Sequence, residues 1–267
     1  MDRARIHALL DAVRRGEVAV DSAVERIAAG ALPTLGVTAP PGEAPATAVV
    51  DHHRAVRCGF PEVVFAPGKT PSDLARIALE ILERSERLLV TRVDAAGRDA
   101  LLAAVPDAVF HERARAVTVS RGAGGAAGAG ERGMAIVAAG TADVPVAEEA
   151  RVTAVAMGEA PVSIYDVGVA GLHRLLARHE DIRRASVLVV VAGMEGALAS
   201  VVGGLVDRPV IAVPTSVGYG VSTGGIAALL AMMSSCAPNV SVVNIDNGFG
   251  AAYVATLVRR TGQPSRG

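Results

Sequence analysis

The sequence predicts an α/β protein with a three-layer, parallel-sheet domain in its carboxyl-terminal half and a smaller α/β domain before it. The 267 residues are 51% hydrophobic but only 3% aromatic, so Ala, Val, Leu and Ile must build the core. After residue 133, five near-continuous apolar runs alternate with segments of helical periodicity. This alternation is typical of parallel strands that helices cover on both faces.

The first 120 residues predict the smaller α/β domain. Apolar residues recur at helical spacing within 2–29, which indicates one or two amphipathic helices. A helix is expected at about 71–86, beginning at Ser72 as a plausible cap. Short strands are expected in ATAVVD, PEVVFA, LLVTRV and AVFHE.

A glycine-rich linker is expected at 121–133, where six of thirteen residues are Gly, and the second domain then covers 134–267. Its strands are predicted in MAIVAAG, VSIYDVG, SVLVVVAG, VIAVPTS and VSVVNIDNG. Ligands of open α/β sheets bind beyond the carboxyl ends of the strands. We therefore expect the site to be assembled from the loops GTAD, DVGVAG, GMEGA, TSVGYG and NIDNGFG.

Charge and cysteine content exclude several classes of protein. The formal net charge is -1, with 26 basic and 27 acidic residues, which gives no electrostatic reason to expect nucleic acid or an anionic membrane as a partner. Residues 209–245 lack formal charge, but prolines and glycines cut them into pieces too short to span a bilayer. Two cysteines and a charged amino-terminal segment favour a reducing cytoplasm.

Lys69 is the single lysine of the chain, in the sequence Gly68-Lys69-Thr70. The spacing of a phosphate loop requires Gly where Val63 stands, and Pro67 lacks an amide donor, so that motif is excluded. Two interpretations stay open, a contact with an anionic ligand and a surface turn. The nearby segment DHHRAVRCGFPE lacks the spacing of a zinc site and favours a ligand-contacting or subunit-contacting loop.

Four further residues carry chemical groups at predicted loop positions. Glu195 follows a strongly apolar strand, where a partly desolvated carboxylate suits an acid or base, or it caps the next helix. Asp143 and Asp246 leave the same choice between a ligand contact and a helix cap. Cys236 closes an apolar helix and is either a nucleophile or an inert buried side chain. A helix C-terminus disfavours the thiolate, so a nucleophilic cysteine here would need activation by a cation or an electron-poor substrate.

Six segments of the chain together form a recognisable set: DHHRAVRCGFPEVVFAPGKT, GTADVPVAEEA, YDVGVAGLHRLL, VVVAGMEGALASVVGGL, RPVIAVPTSVGYG and SSCAPNVSVVNIDNGFGAA. In these segments the chain resembles the LarB family of nickel-pincer cofactor biosynthesis proteins. It implies a PurE-like, flavodoxin/Rossmann-like catalytic domain similar to aminoimidazole ribonucleotide (AIR) carboxylase. One departure is Ala142, which stands where the family usually has a serine.

The resemblance implies an enzyme that adds CO2 to the pyridinium ring of nicotinic acid adenine dinucleotide and cleaves its phosphoanhydride, giving pyridinium-3,5-biscarboxylic acid mononucleotide and AMP. It implies Cys236 as nucleophile and Glu195 and Asp143 as the other catalytic residues. The expected substrate-binding residues are Gly140, Thr141, Asp166, Gly193, Met194, Gly196, Thr215, Ser216, Gly218, Asn244, Asp246 and Asn247, with Lys69.

Cofactor and assembly are further expectations. We expect Mg2+ to bind through the substrate phosphates, because the sequence shows no carboxylate cage. We expect a homo-oligomer, with an octamer suspected because the related carboxylase fold assembles in that way. The alternative functions are an AIR carboxylase or mutase, which needs no thiol, and a non-catalytic nucleotide-binding module.

Overall fold

A computed structural model describes residues 3–31, 50–121 and 133–261. Contacts within the chain define two compact units, one of Met1–Phe110 with Val117–Gly122 and the other of His111–Ala116 with Ala123–Gly267. Most of the glycine-rich linker expected at 121–133 lies outside the described residues.

The first unit is a small α/β fold, as predicted. Its elements are α1 (Arg3–Arg14), α2 (Val20–Ala31), α3 (Arg54–Cys58), β1 (Val64–Phe65), α4 (Pro71–Arg84), β2 (Arg87–Thr91), α5 (Ala95–Ala104), β3 (Val109–His111) and β4 (Ala116–Ser120). The sheet order is β1-β2-β4-β3, with β1 parallel and β4 antiparallel to β2. The apolar stripe of α4 packs on this sheet through side chains such as Ile77 and Ile81.

Two local predictions in this unit need correction. Helix α4 is capped by Thr70, whose hydroxyl accepts a hydrogen bond from the amide of Asp73, rather than by Ser72. Pro71 then occupies the first turn, where its missing amide donor costs nothing. Strand β4 was not predicted, although Ala116–Ser120 alternates apolar and polar residues as a sheet strand does.

The second unit confirms the predicted parallel α/β domain. Its elements are β5 (Met134–Ala138), α6 (Val144–Ala156), β6 (Val162–Ile164), α7 (Leu172–Ala177), α8 (His179–Arg184), β7 (Val187–Ala192), α9 (Ala197–Leu205), β8 (Val210–Pro214), α10 (Ile226–Met233), β9 (Val240–Val242) and α11 (Gly248–Thr261). All neighbouring strands are parallel, in the order β6-β5-β7-β8-β9. In chain order this is the flavodoxin-like 2-1-3-4-5 arrangement.

Helices cover both faces of the five-stranded sheet, which explains why its central strands are buried along their whole length. Alanines of α6 and α11 pack on one face, and side chains of α7 to α10 pack on the other. Helices α6 and α11 approach closely at Gly248, which has no side chain. A Cβ at this position would lie 2.2 Å from the backbone oxygen of Val146. Within the described residues, no helix is long and apolar enough to cross a membrane.

Candidate active site

A cavity of about 510 Å3 opens at the carboxyl ends of β5 and β7. Strand order reverses between these two strands, and open α/β sheets bind ligands at such a switch point. The residues that line the cavity are Ala139, Gly140, Thr141, Ala142, Asp143, Asp166, Gly168, Val169, Ala170, Arg174, Ala192, Gly193, Met194, Glu195, Ala197, Leu198, Val217, Gly218 and Tyr219.

Asp143 is the buried carboxyl group of this cavity, with 5% of its surface exposed. Its Oδ1 accepts a hydrogen bond of 2.6 Å from the Thr215 hydroxyl, and its Oδ2 accepts one of 2.9 Å from the Gly140 amide. Burial raises the pKa of Asp143, and this effect outweighs the hydrogen bonds, which favour the carboxylate. Asp143 occupies the N-cap position of α6, as the helix-cap interpretation expects, but its side chain makes no capping hydrogen bond to that helix and instead accepts from the Gly140 amide at the start of the 3-10 turn Thr141–Asp143.

Tight loop packing holds Asp143 and its neighbours in place. The Thr215 amide donates to the oxygen of Ala192, which joins the loops that follow β8 and β7. A Cβ at Gly193 would lie 2.2 Å from the backbone oxygen of Val217 and 2.7 Å from the Thr215 hydroxyl. Only glycine leaves room for these two loops to meet beside the cavity.

Glu195 lines the cavity but is exposed, so the expectation that it is desolvated is wrong. The turn that carries it is strained: Met194 has a φ of 52° and Gly196 a φ of 67°. The residue at the N-cap of α9 is Gly196. The side chain of Glu195 is therefore accessible both to solvent and to a ligand in the cavity.

The loop after β6 adds an ion pair to the cavity. Asp166 has a φ of 59° and accepts a hydrogen bond from Arg174 of α7. Sequence reasoning identified Asp166 but missed Arg174, since an arginine on a helix gives no signal by itself. The available signal was its position in the first turns after the DVGVAG loop.

The cavity lining does not include six of the binding residues predicted in the second unit: Gly196, Thr215, Ser216, Asn244, Asp246 and Asn247. Asp246 accepts a hydrogen bond of 2.7 Å from the Ser216 amide and donates its own amide to Pro214. Asn247 accepts from the Gly250 amide and caps α11. These side chains fix the loops after β8 and β9, while Asn244 lines a separate pocket beside α10.

Cys236 lies outside the cavity, in the loop between α10 and β9. It is exposed, so the expectation of a buried cysteine at a helix end is wrong. Val240, which begins β9, pairs with Val210 at the start of β8, so Cys236 lies at the amino edge of the sheet. The five residues of β8 separate the two edges by about 16 Å.

Lys69 belongs to the first unit and donates a hydrogen bond of 2.8 Å to the backbone oxygen of Phe65. Its interpretation as an anion contact stays a prediction. Among the described residues, no group of three or more His, Cys, Asp or Glu side chains could hold a metal ion. The described residues therefore provide no set of protein ligands for the expected Mg2+.

Comparison with known proteins agrees with this geometry. Residues 43–121 match the LarB/PurE-like N-terminal domain family, and residues 133–265 match the AIR carboxylase family. The fold of the second unit and this match thus identify it as a domain of the AIR carboxylase family. The chain is also 38% identical over 220 residues to the uncharacterized protein MJ0165 of Methanocaldococcus jannaschii, covering 79% of this chain and 83% of that protein. Together the two matches show that this chain belongs to the LarB-like family.

Proposed function

We propose that the chain carboxylates the pyridinium ring of nicotinic acid adenine dinucleotide and hydrolyses its phosphoanhydride. The observation that carries this proposal is the pair of carboxyl groups, buried Asp143 and exposed Glu195, in the crevice of an AIR carboxylase domain. The LarB/PurE-like domain before it favours the dinucleotide over aminoimidazole ribonucleotide.

The covalent step uses the thiolate of Cys236. Its sulfur adds to C4 of the pyridinium, and the ring takes up the electron pair as a neutral dihydropyridine. C5 is then an enamine carbon and forms a bond to the carbon of CO2, which leaves an iminium. A base removes the C5 proton, and expulsion of the thiolate from C4 restores the aromatic ring. No oxidant or reductant is needed.

Asp143 and Glu195, two of the carboxyl groups that line the cavity, have different tasks in this proposal. Glu195 removes the C5 proton, because its carboxyl group lines the cavity and is open to solvent, so that the proton can pass on to water. Asp143, whose pKa is raised by burial, orients the carboxylate-bearing ring or serves the hydrolysis. The hydroxyl of Thr215 and the amide of Gly140 hold both oxygens of Asp143 in position.

Hydrolysis of the dinucleotide breaks one phosphorus–oxygen bond. Water attacks one phosphorus of the anhydride, and the electron pair of the broken bond leaves with the other phosphate, which separates the mononucleotide from AMP. A divalent ion held by the substrate phosphates would supply charge neutralisation there. Backbone amides of the loop that carries Gly218 are available to the phosphates at the edge of the cavity.

The distance between the edges of the sheet adds a requirement to this proposal. Cys236 and Asp143 of one chain lie at opposite edges, so the thiol that reaches the cavity must come from a second copy of the chain. Helix α10, which leads to Cys236, exposes Ile226, Leu230 and Met233 on one stripe. Such an apolar stripe suits self-association, and we propose a symmetric homo-oligomer with an octamer as its suspected form.

Product analysis tests this function. The protein is incubated with nicotinic acid adenine dinucleotide, 13C-bicarbonate and Mg2+, and the products are identified by mass spectrometry. We expect AMP and a mononucleotide that carries one added, labelled carboxyl group. Parallel incubation with aminoimidazole ribonucleotide distinguishes the purine-pathway reaction. If only aminoimidazole ribonucleotide gains the 13C label, the chain is an AIR carboxylase and the proposal is wrong. If neither substrate gains the label, a non-catalytic role is favoured.

A further inference from the structure

The cavity at β5 and β7 carries an uneven set of charges. Three of the described residues that line it have carboxyl side chains, Asp143, Asp166 and Glu195, and one, Arg174, has a positive charge. A ligand that brings carboxylate or phosphate groups is repelled by this lining except at the guanidinium. Among the charged side chains of this lining, Arg174 is therefore the one that favours an anionic group.

Arg174 is placed for such a contact by the residues around it. One of its terminal nitrogens donates to Asp166. A Cβ at Gly171 would lie 2.6 Å from Nε and 2.9 Å from a terminal nitrogen of Arg174. The absence of a side chain at Gly171 thus leaves the space in which the guanidinium lies against the backbone of the loop.

The ion pair is exchangeable, because both side chains are about half in solvent. Arg174 is 42% and Asp166 54% exposed, and exposed ion pairs contribute little free energy. A guanidinium has five N–H donors in a planar fork that matches two oxygens of a carboxylate or phosphate. An incoming oxyanion can therefore share or replace the carboxylate of Asp166 at little cost.

We propose that Arg174 is the residue that binds an oxyanion of the ligand in this cavity, with Asp166 as its counter-ion in the free protein. The inference rests on the proposed function for the identity of the ligand, a pyridinium nucleotide with a ring carboxylate and phosphate groups. It assigns Arg174 to substrate selection, because a carboxamide in place of the carboxylate offers this guanidinium one oxygen instead of two.

Binding measured without bicarbonate tests the assignment separately from carboxylation. Titration calorimetry on the full chain uses nicotinic acid mononucleotide and nicotinamide mononucleotide, which differ only in carboxylate and carboxamide. For Arg174→Gln we expect about 10- to 100-fold weaker binding of the acid form. A loss confined to the acid form identifies the ring carboxylate as the bound oxyanion, and an equal loss for both identifies the phosphate.

Matched variants separate this role from a structural one. Arg178 is 43% exposed and pairs with Asp181, but it lies outside the cavity lining, so Arg178→Gln should bind as the wild type does. Asp166→Asn removes the competing carboxylate and should therefore tighten binding. The loop should keep its conformation in this variant, since Asn tolerates a positive φ. Gly171→Ala displaces the guanidinium without changing charge and should weaken binding.

Some outcomes would overturn the assignment. These are an unchanged affinity in the Arg174→Gln protein, an equal loss in the Arg178→Gln protein, or no binding of either mononucleotide by the wild type. If the wild type binds the mononucleotides through Arg174 but fixes no CO2 on the dinucleotide, the proposed function fails while this inference stands.

Discussion

Replacement of the buried carboxyl by its amide, Asp143→Asn, should change stability and activity in opposite directions. Asn has the same shape, so its oxygen can accept from the Gly140 amide while its NH2 group donates to the hydroxyl of Thr215. Both hydrogen-bonded contacts of the wild type are thereby retained. The variant loses the ionisable proton and changes the interaction with the Gly193 backbone, so the pH dependence of its stability is what reports the cost of burying a carboxylate.

The sign of the stability effect follows from the raised pKa of Asp143. Above its ordinary value of 3.8, the unfolded chain releases the proton while the folded protein still binds it. Fewer protons are then bound in the unfolded state, so the free energy of unfolding falls as pH rises until the folded carboxyl ionises. The amide variant lacks this loss, and its stability relative to the wild type should increase from pH 4 toward neutrality.

Urea denaturation at a series of pH values measures this difference, and product formation measures the functional cost. We expect the variant to be at least as stable as the wild type at pH 7, and to lose activity by about 10²- to 10⁴-fold if Asp143 transfers a proton. A variant less stable at pH 7 than at pH 4, relative to the wild type, would refute the claim that burial dominates at this carboxyl group.

Three further predictions concern catalysis, packing and assembly. Glu195→Gln should keep the affinity for the dinucleotide but lose carboxylation by about 10²-fold or more, as rapid-quench assays would measure, and unchanged turnover would remove Glu195 from proton transfer. Gly193→Ala should lower the free energy of unfolding by about 1–3 kcal/mol, because its Cβ would meet backbone. Gly204→Ala, with open space around the new Cβ, is the control in urea denaturation and should not be destabilised. Co-expression of Cys236→Ser and Asp143→Asn chains should restore about a quarter of the wild-type activity if each site draws on two copies, whereas no recovery would mean that one chain supplies both residues.

Much of the fold could be predicted because parallel strands buried on both faces leave a plain apolar pattern in the sequence. The five runs after residue 133 became β5 to β9, and the loops GTAD and GMEGA met at the cavity with Asp143 and Glu195. The short strand β4 was missed, since five alternating residues near a turn give a weak signal. The elements that bury most apolar surface were therefore the ones that the sequence made visible.

Side-chain partners were harder to predict than strands. The hydrogen bond between Thr215 and Asp143 joins residues 72 positions apart, and no local pattern indicates it. Asp246 and Asn247 followed a strand as ligand-binding residues do, but they bond to loop amides. The position of Cys236 at the amino edge could have been predicted, because a helix that follows one parallel strand returns the chain to that edge before the next strand begins.

The most direct test of the proposed reaction measures the incorporation of labelled bicarbonate into nicotinic acid adenine dinucleotide by the Cys236→Ser and Cys58→Ser proteins, together with near-ultraviolet absorption of a dihydropyridine adduct. The proposal predicts that Cys236→Ser abolishes both signals, because an un-ionised hydroxyl is a far poorer nucleophile than a thiolate. The Cys58→Ser protein should keep both. Incorporation at the wild-type rate by the Cys236→Ser protein would contradict the covalent mechanism.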